Sequence, residues 1–194
     1  MPRAGLTREK VIEKAAELAD ERGIDGVTIT TLAEYLGIRK PSLYNHIEGP
    51  EDIRTQIMLY GWRYLSGQAV EEIRTEEPYE ALKEYARQVY RYAQEHPGVF
   101  EAMLWYNTYE NEEFREVTEG LYRFFFAQTD KLRIDREAAN HLLRTYRAFV
   151  EGFLLLVIHD SFGNPLSVKE SFELSLEVLV SGMKPYENKA RRDD

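Results

Sequence analysis

Cysteine is absent from the 194 residues. That absence excludes a disulfide framework, thiolate zinc ligation, an iron–sulfur cluster and a cysteine nucleophile, and it is compatible with a reducing compartment. Long apolar runs are missing too. The longest, Phe153 to Ile158 (FLLLVI), falls far short of the roughly 18 residues a membrane span needs. The amino-terminal MPRAGLTREK lacks the apolar core of a signal peptide, so a cytoplasmic protein with no membrane partner is expected. Proline and glycine are few, 7 and 12 residues, and with 43% hydrophobic and 30% charged side chains the chain is neither disordered nor fibrous. Basic residues are outnumbered, 25 against 34, and the net charge of −9 by itself argues against a nucleic-acid partner.

The charge is not evenly spread. Residues 1–47 carry seven basic and seven acidic side chains, so the whole excess of −9 lies in the remainder. Only Tyr35 and Tyr44 of the 24 aromatics fall in that first stretch. Two compositions suggest two tasks: a domain over 1–49, a second over 50–186, and a polar tail at 187–194.

Apolar residues recur at three- and four-residue spacing almost everywhere, and no segment sustains the alternation of a strand. The expected class is all-α, with about nine helices. Thr7 is placed to cap a first helix with Val11, Ala15, Leu18 and Ala19 on one face, stopped by Gly23. Thr28 or Thr30 opens a second that ends at Gly37, and Pro41 sits in the first turn of a third, PSLYNHI. Pro50 opens a long fourth helix reaching about Arg74. Further helices are expected near 79–95, 97–107, 112–129, 136–161 and 168–182, with Asp135 as one cap and Ser167-x-x-Glu170 as a capping box.

Two short helices joined at Gly37 make a helix-turn-helix arrangement, with Leu32, Ala33, Leu36, Ile38 and Leu43 as its small core. This frees the polar face of the second member. Lys40, Ser42, Tyr44, Asn45 and His46 are types that reach base edges and phosphates in a major groove, and the backbone amides near Pro41 and Ser42 are expected to favour a phosphate.

The run LAEYLGI-x-K-P-S-LY-x-H-I, preceded by ERGIDGVT, resembles the tetracycline-repressor (TetR) family of bacterial transcription regulators. The segments HPGVFEAML and RTYRAFVEGFLLLVIHDSFG are similar to a WHG-like carboxy-terminal ligand-binding domain of that family. The resemblance implies three amino-terminal helices on double-stranded operator DNA and a carboxy-terminal helical bundle for dimerisation and effector binding: a ligand-responsive regulator, expected to be a repressor. Arg39, with Arg3 and Arg8, is assigned to phosphates, and Thr30 is a candidate from the preceding helix. The family usually places a lysine at the start of the fourth helix. Here that stretch reads Glu48-Gly49-Pro50-Glu51-Asp52, whose carboxylates oppose DNA. An alternative stays open on this ground and on the net charge: a helical ligand-binding or interaction module that has kept the fold.

No catalytic constellation stands out. His159, Asp160 and Ser161 are consecutive, and successive helical residues point about 100° apart. His96 and His141 lack a second ligand at metal spacing, and Glu110, Glu112, Glu113 and Glu116 read as a solvated helix start. Neither an enzyme nor a cofactor is expected. The aromatic-rich second part is expected to hold a small apolar or aromatic effector between Trp62, Phe100, Met103, Leu104, Tyr122, His141, Tyr146 and Phe149. A homodimer is expected through the last two long helices, with Gly152, Phe153, Leu156, Phe172, Leu176, Leu179 and Val180 at the interface. The fourth helix, carrying Trp62 toward the aromatic part, is expected to couple effector to DNA.

Overall fold

The computed structural model describes residues 5–104 and 112–187. Every regular element among them is helical, as the apolar spacing predicts. The order is α1 (Arg8–Arg22), α2 (Ile29–Leu36), α3 (Lys40–Leu43), α4 (Pro50–Arg63), α5 (Ala69–Glu71), α6 (Pro78–Glu95), α7 (Pro97–Leu104), α8 (Glu112–Lys131), α9 (Arg136–Ile158) and α10 (Val168–Ser181). A π-helical segment, Tyr64–Gln68, joins α4 to α5, so the expected fourth helix is present but widened near its end and finished by Glu71.

Several ends are fixed by side chains three residues away, which is why they are readable locally. Thr7 accepts from the Lys10 amide, Asp135 from Ala138 and Ser167 from Glu170. Thr28 and Thr31 complete a reciprocal capping box, so Thr28 rather than Thr30 opens α2.

Packing sorts the chain into two compact units, Met1–Tyr64 with Tyr92–Val117, and Leu65–Arg91 with Thr118–Asp194. The first boundary falls at 64/65, beyond the 49/50 cut suggested by composition, because α4 and α7 share a core with α1. In this first unit Val11, Leu18 and Ala19 of α1, Leu32 and Ala33 of α2, Leu43 of α3, and Ile53, Ile57 and Trp62 of α4 are buried. α7 completes it through two close approaches. A Cβ on Gly61 would meet Met103 Sδ at 2.3 Å, and one on Gly98 would meet the Ala19 carbonyl oxygen at 1.9 Å. Asp20 of α1 caps α7 from outside the helix: Oδ1 accepts from the Gly98 and Val99 amides, both at 3.0 Å, and Oδ2 lies 2.8 Å from His96 Nδ1.

The second unit is built on α6, α8, α9 and α10. Phe172 of α10 stacks on Phe149 of α9, centroids 5.9 Å apart, and also meets Phe153 and Tyr90. Tyr85 meets Phe124, and the buried Tyr146 hydroxyl donates to the Leu82 carbonyl at 2.6 Å. Burial raises the Tyr146 phenol well above its ordinary range. Outside this core, Arg87 pairs with Glu173 at 2.9 Å and Glu80 at 2.6 Å, while Lys83 pairs with Glu177 and Glu80.

Candidate nucleic-acid interface

Gly37 ends α2 in the left-handed region, φ +66, where a side chain would be strained. Its amide returns to Glu34, and the Ile38 amide to Ala33. The chain thereby turns sharply and presents α3 across α2. Leu43 is the pin: it is 0% exposed against Leu32 and Ala33, themselves buried, while Leu36 and Ile38 are half-buried. Tyr35 ties α2 to α1 by donating to Glu21 at 2.9 Å, and that bond to a carboxylate pushes its phenol up to about 12.

With Leu43 inward, the remaining side chains of this turn face solvent. Thr30, Arg39, Lys40, Pro41, Ser42, Tyr44 and Asn45 are all exposed, Tyr44 to 54%. None of the polar ones makes a side-chain hydrogen bond or ion pair among the described residues. Several other cations of the first unit are engaged, Lys14 with Glu17, Arg54 with Asp25 and Arg63 with Glu113, whereas Lys10 and Arg22, like Arg39 and Lys40, have no ion pair among the described residues. Arg39 and Lys40 keep their charge unspent.

Three expectations need correction. α3 is four residues long, not seven; beyond Leu43 the chain closes as a turn, with the His46 and Ile47 amides sharing the Leu43 carbonyl at 2.9 and 3.2 Å. The amides expected to cradle a phosphate are not available, because Pro41 has none and Ser42 donates its own to the Arg39 carbonyl at 2.9 Å. Arg8 is not a free cation either. Its guanidinium holds both oxygens of Asp52, at 2.9 and 3.2 Å, and the His46 carbonyl. Asp52 is therefore neutralised rather than opposed to a phosphate. The His46 ring is half-buried and makes no hydrogen bond among the described residues. Arg3, Trp105, Tyr106, Glu110 and the tail from 188 lie outside the described residues.

The eight residues expected around an effector fall into both units. Trp62, Phe100 and Met103 are buried in the first unit, where Trp62 meets Phe114 edge-on at 6.1 Å, and Leu104 is half-buried there. Tyr122, Tyr146 and Phe149 belong to the second unit with partners of their own. His141 is exposed on α9 and lines an open groove with Asp135, Glu137, Thr145 and Tyr186; it is not a polar handle inside an apolar cavity.

The expected interface residues divide as well. Phe172, Leu176 and Val180 are interior, because that stripe of α10 faces α9. Leu179, Phe153 and Gly152 are half-buried, and Leu156 is 46% exposed. The apolar residues of α10 that do face solvent are Leu174 and Val178, at 68% and 67%.

A pinned two-helix turn with unspent polar groups on its outer face, carried ahead of a helical domain, defines a helix-turn-helix DNA-binding regulator. Comparison with known proteins agrees. The family described as "Bacterial regulatory proteins, tetR family" matches residues 11–49, and "Tetracyclin repressor-like, C-terminal domain" matches residues 82–179. The chain belongs to the TetR family: it is a ligand-responsive transcriptional regulator, not an enzyme. An uncharacterized HTH-type transcriptional regulator of Bacillus subtilis, YobS, is 29% identical over 187 residues, covering 94% of this chain and 95% of its own. The tetracycline repressor protein class D of Escherichia coli is 53% identical over 45 residues, 23% of this chain and 21% of its own. Among solved structures, a TetR variant of Acinetobacter baumannii in complex with minocycline superposes with a TM-score of 0.73 at 21% identity, covering 95% of this chain and 100% of that one; at that identity the likeness speaks for the fold.

Proposed function

We propose that the protein is a homodimeric repressor that reads a palindromic operator through residues 39–45 and releases it when a small apolar or aromatic molecule binds the carboxy-terminal part. The reading rests on the exposed set Arg39, Lys40, Ser42, Tyr44 and Asn45, whose side-chain polar atoms have no partners among the described residues around the buried Leu43. Tyr44, Asn45 and Ser42 suit base edges, while Arg39, Lys40 and Thr30 suit phosphates. One such turn offers too few contacts for useful specificity, so two copies about one DNA turn apart, roughly 34–36 Å, are the economical solution.

The dimer reading rests on α9 and α10. Leu156, Leu174 and Val178 are apolar and exposed, and a Cβ on Gly152 would meet nothing within 4 Å, leaving room for a partner helix. A gel shift with the DNA upstream of its own gene tests the function. The wild type retards the fragment, and Lys40→Ala and Tyr44→Ala each weaken that binding by about 1–3 kcal/mol; equal retardation by all three proteins contradicts the assignment.

A further inference from the structure

A helix of four residues does not hold itself. Nucleating a turn costs more than its few hydrogen bonds return, so a short helix takes its geometry from its neighbours. Leu43, the last residue of this one, pins its end. Beyond it, the His46 and Ile47 amides return to the Leu43 carbonyl at 2.9 and 3.2 Å and Asn45 to the Ser42 carbonyl at a long 3.4 Å, while the His46 carbonyl accepts from no backbone donor among the described residues. That carbonyl is met by Arg8 Nη1 at 2.5 Å. The same guanidinium grips Asp52 at two points, and Asp52 Oδ2 accepts the Glu48 amide at 2.8 Å. One cation from α1 and one carboxylate from α4 thus hold the backbone on both sides of Ile47, itself 3% exposed. Asp52 is well shielded, its side chain 14% exposed against 40% for Arg8.

We propose that Arg8 and Asp52 act as positioning residues for the recognition turn: they fix the backbone from His46 to Glu48 and thereby aim Tyr44 and Asn45, and neither contacts DNA. This rests on residues 39–45 being the DNA face. The device also accounts for a family member with no lysine at position 50. A carboxylate beside the DNA backbone is tolerated because it is already neutralised from within, and the turn gains a mechanical support in place of an added phosphate contact.

The alternative, with Arg8 on a phosphate and Asp52 a repulsive charge, makes opposite predictions. The full chain is titrated with a duplex selected by the wild type from a randomised pool, at several salt concentrations. Asp52→Asn, Arg8→Gln and the double variant are compared, with Arg39→Gln as a phosphate control. Positioning predicts that Asp52→Asn and Arg8→Gln each weaken binding by about ten-fold, the scale of a charged hydrogen bond. The double variant is then little worse than either, because both break one device. The salt slope of each is that of the wild type, whereas Arg39→Gln lowers it by about 0.9. Tighter binding by Asp52→Asn, or a slope lowered by about 0.9 in Arg8→Gln, overturns the proposal, as does unchanged affinity in both. Should Arg8→Gln fail to fold, the sign for the near-isosteric Asp52→Asn decides. Amide exchange at residues 45–48 without DNA separates this proposal from the reading beneath it. It accelerates about ten-fold in Asp52→Asn if the support is real, whether or not a duplex is selected, and unchanged exchange refutes the support by itself.

Discussion

Gly98 lies directly on Ala19: a Cβ at 98 would stand 1.9 Å from the carbonyl oxygen and 2.3 Å from the carbonyl carbon. The obstacle is backbone, not a side chain that can swing aside. Gly98→Ala must therefore push α7 off α1 and also strain the bonds from the Gly98 and Val99 amides to Asp20. A loss of about 1–3 kcal/mol in a denaturant titration is expected, the usual scale of overpacking. Asp20→Ala, which strips the cap without a clash, should lose about 1 kcal/mol. A Gly98→Ala variant as stable as the wild type would show that α7 does not sit on α1 in solution.

The Glu80 network predicts a pH dependence. Bonds from Lys83 and then Arg87 hold the Glu80 carboxyl below its ordinary 4.5. Because its folded value is depressed, its contribution is complete above the ordinary value and fades as pH falls through the lowered one. Relative to Glu80→Gln, the wild type should be more stable by about 0.3–1 kcal/mol at neutral pH, a small figure because the carboxylate is partly solvated. That gap should close as acid is added below 4.5. Thermal melts of both proteins from pH 7 to pH 3 measure it, and a gap that widens in acid would reverse the sign.

The association face gives a third test. Leu174→Glu and Val178→Glu place a charge on exposed positions without disturbing Phe172, Leu176 or Val180 inside. Light scattering at micromolar concentration should give a dimer for the wild type and a monomer for each variant, with helical content unchanged. A variant that remains dimeric moves the interface away from α10.

The caps at Thr7, Asp135 and Ser167 and the turn at Gly37 were legible in the sequence because each is an interaction within about five residues, whereas the start of α2 was legible only as Thr28 or Thr30. The exposure of residues 39–45 was legible for a related reason: they are the part of a short segment left over once Leu32, Ala33 and Leu43 are taken inward. The rest depends on partners far along the chain. Arg8 read as a free cation because Asp52 is 44 residues away, and His96 as a lone histidine because Asp20 is 76 away. On α10 both stripes are apolar, Phe172-Leu176-Val180 and Leu174-Val178, so periodicity found the helix without choosing its inner face. Trp62, Phe100 and Met103 were grouped with later aromatics by composition, whereas α4 and α7 bury them in the first unit. The π-helical segment at Tyr64–Gln68 has no signature in spacing at all.

Whether residues 39–45 read sequence is decided by selection from a randomised duplex pool, run in parallel with the wild type and with Asn45→Ala and Tyr44→Ala. The wild type should enrich an inverted repeat with half-sites centred about one helical turn apart, and each variant should lose preference at specific positions within both half-sites. Recovery of the same repeat with the same preferences by both variants would show that Tyr44 and Asn45 do not read bases.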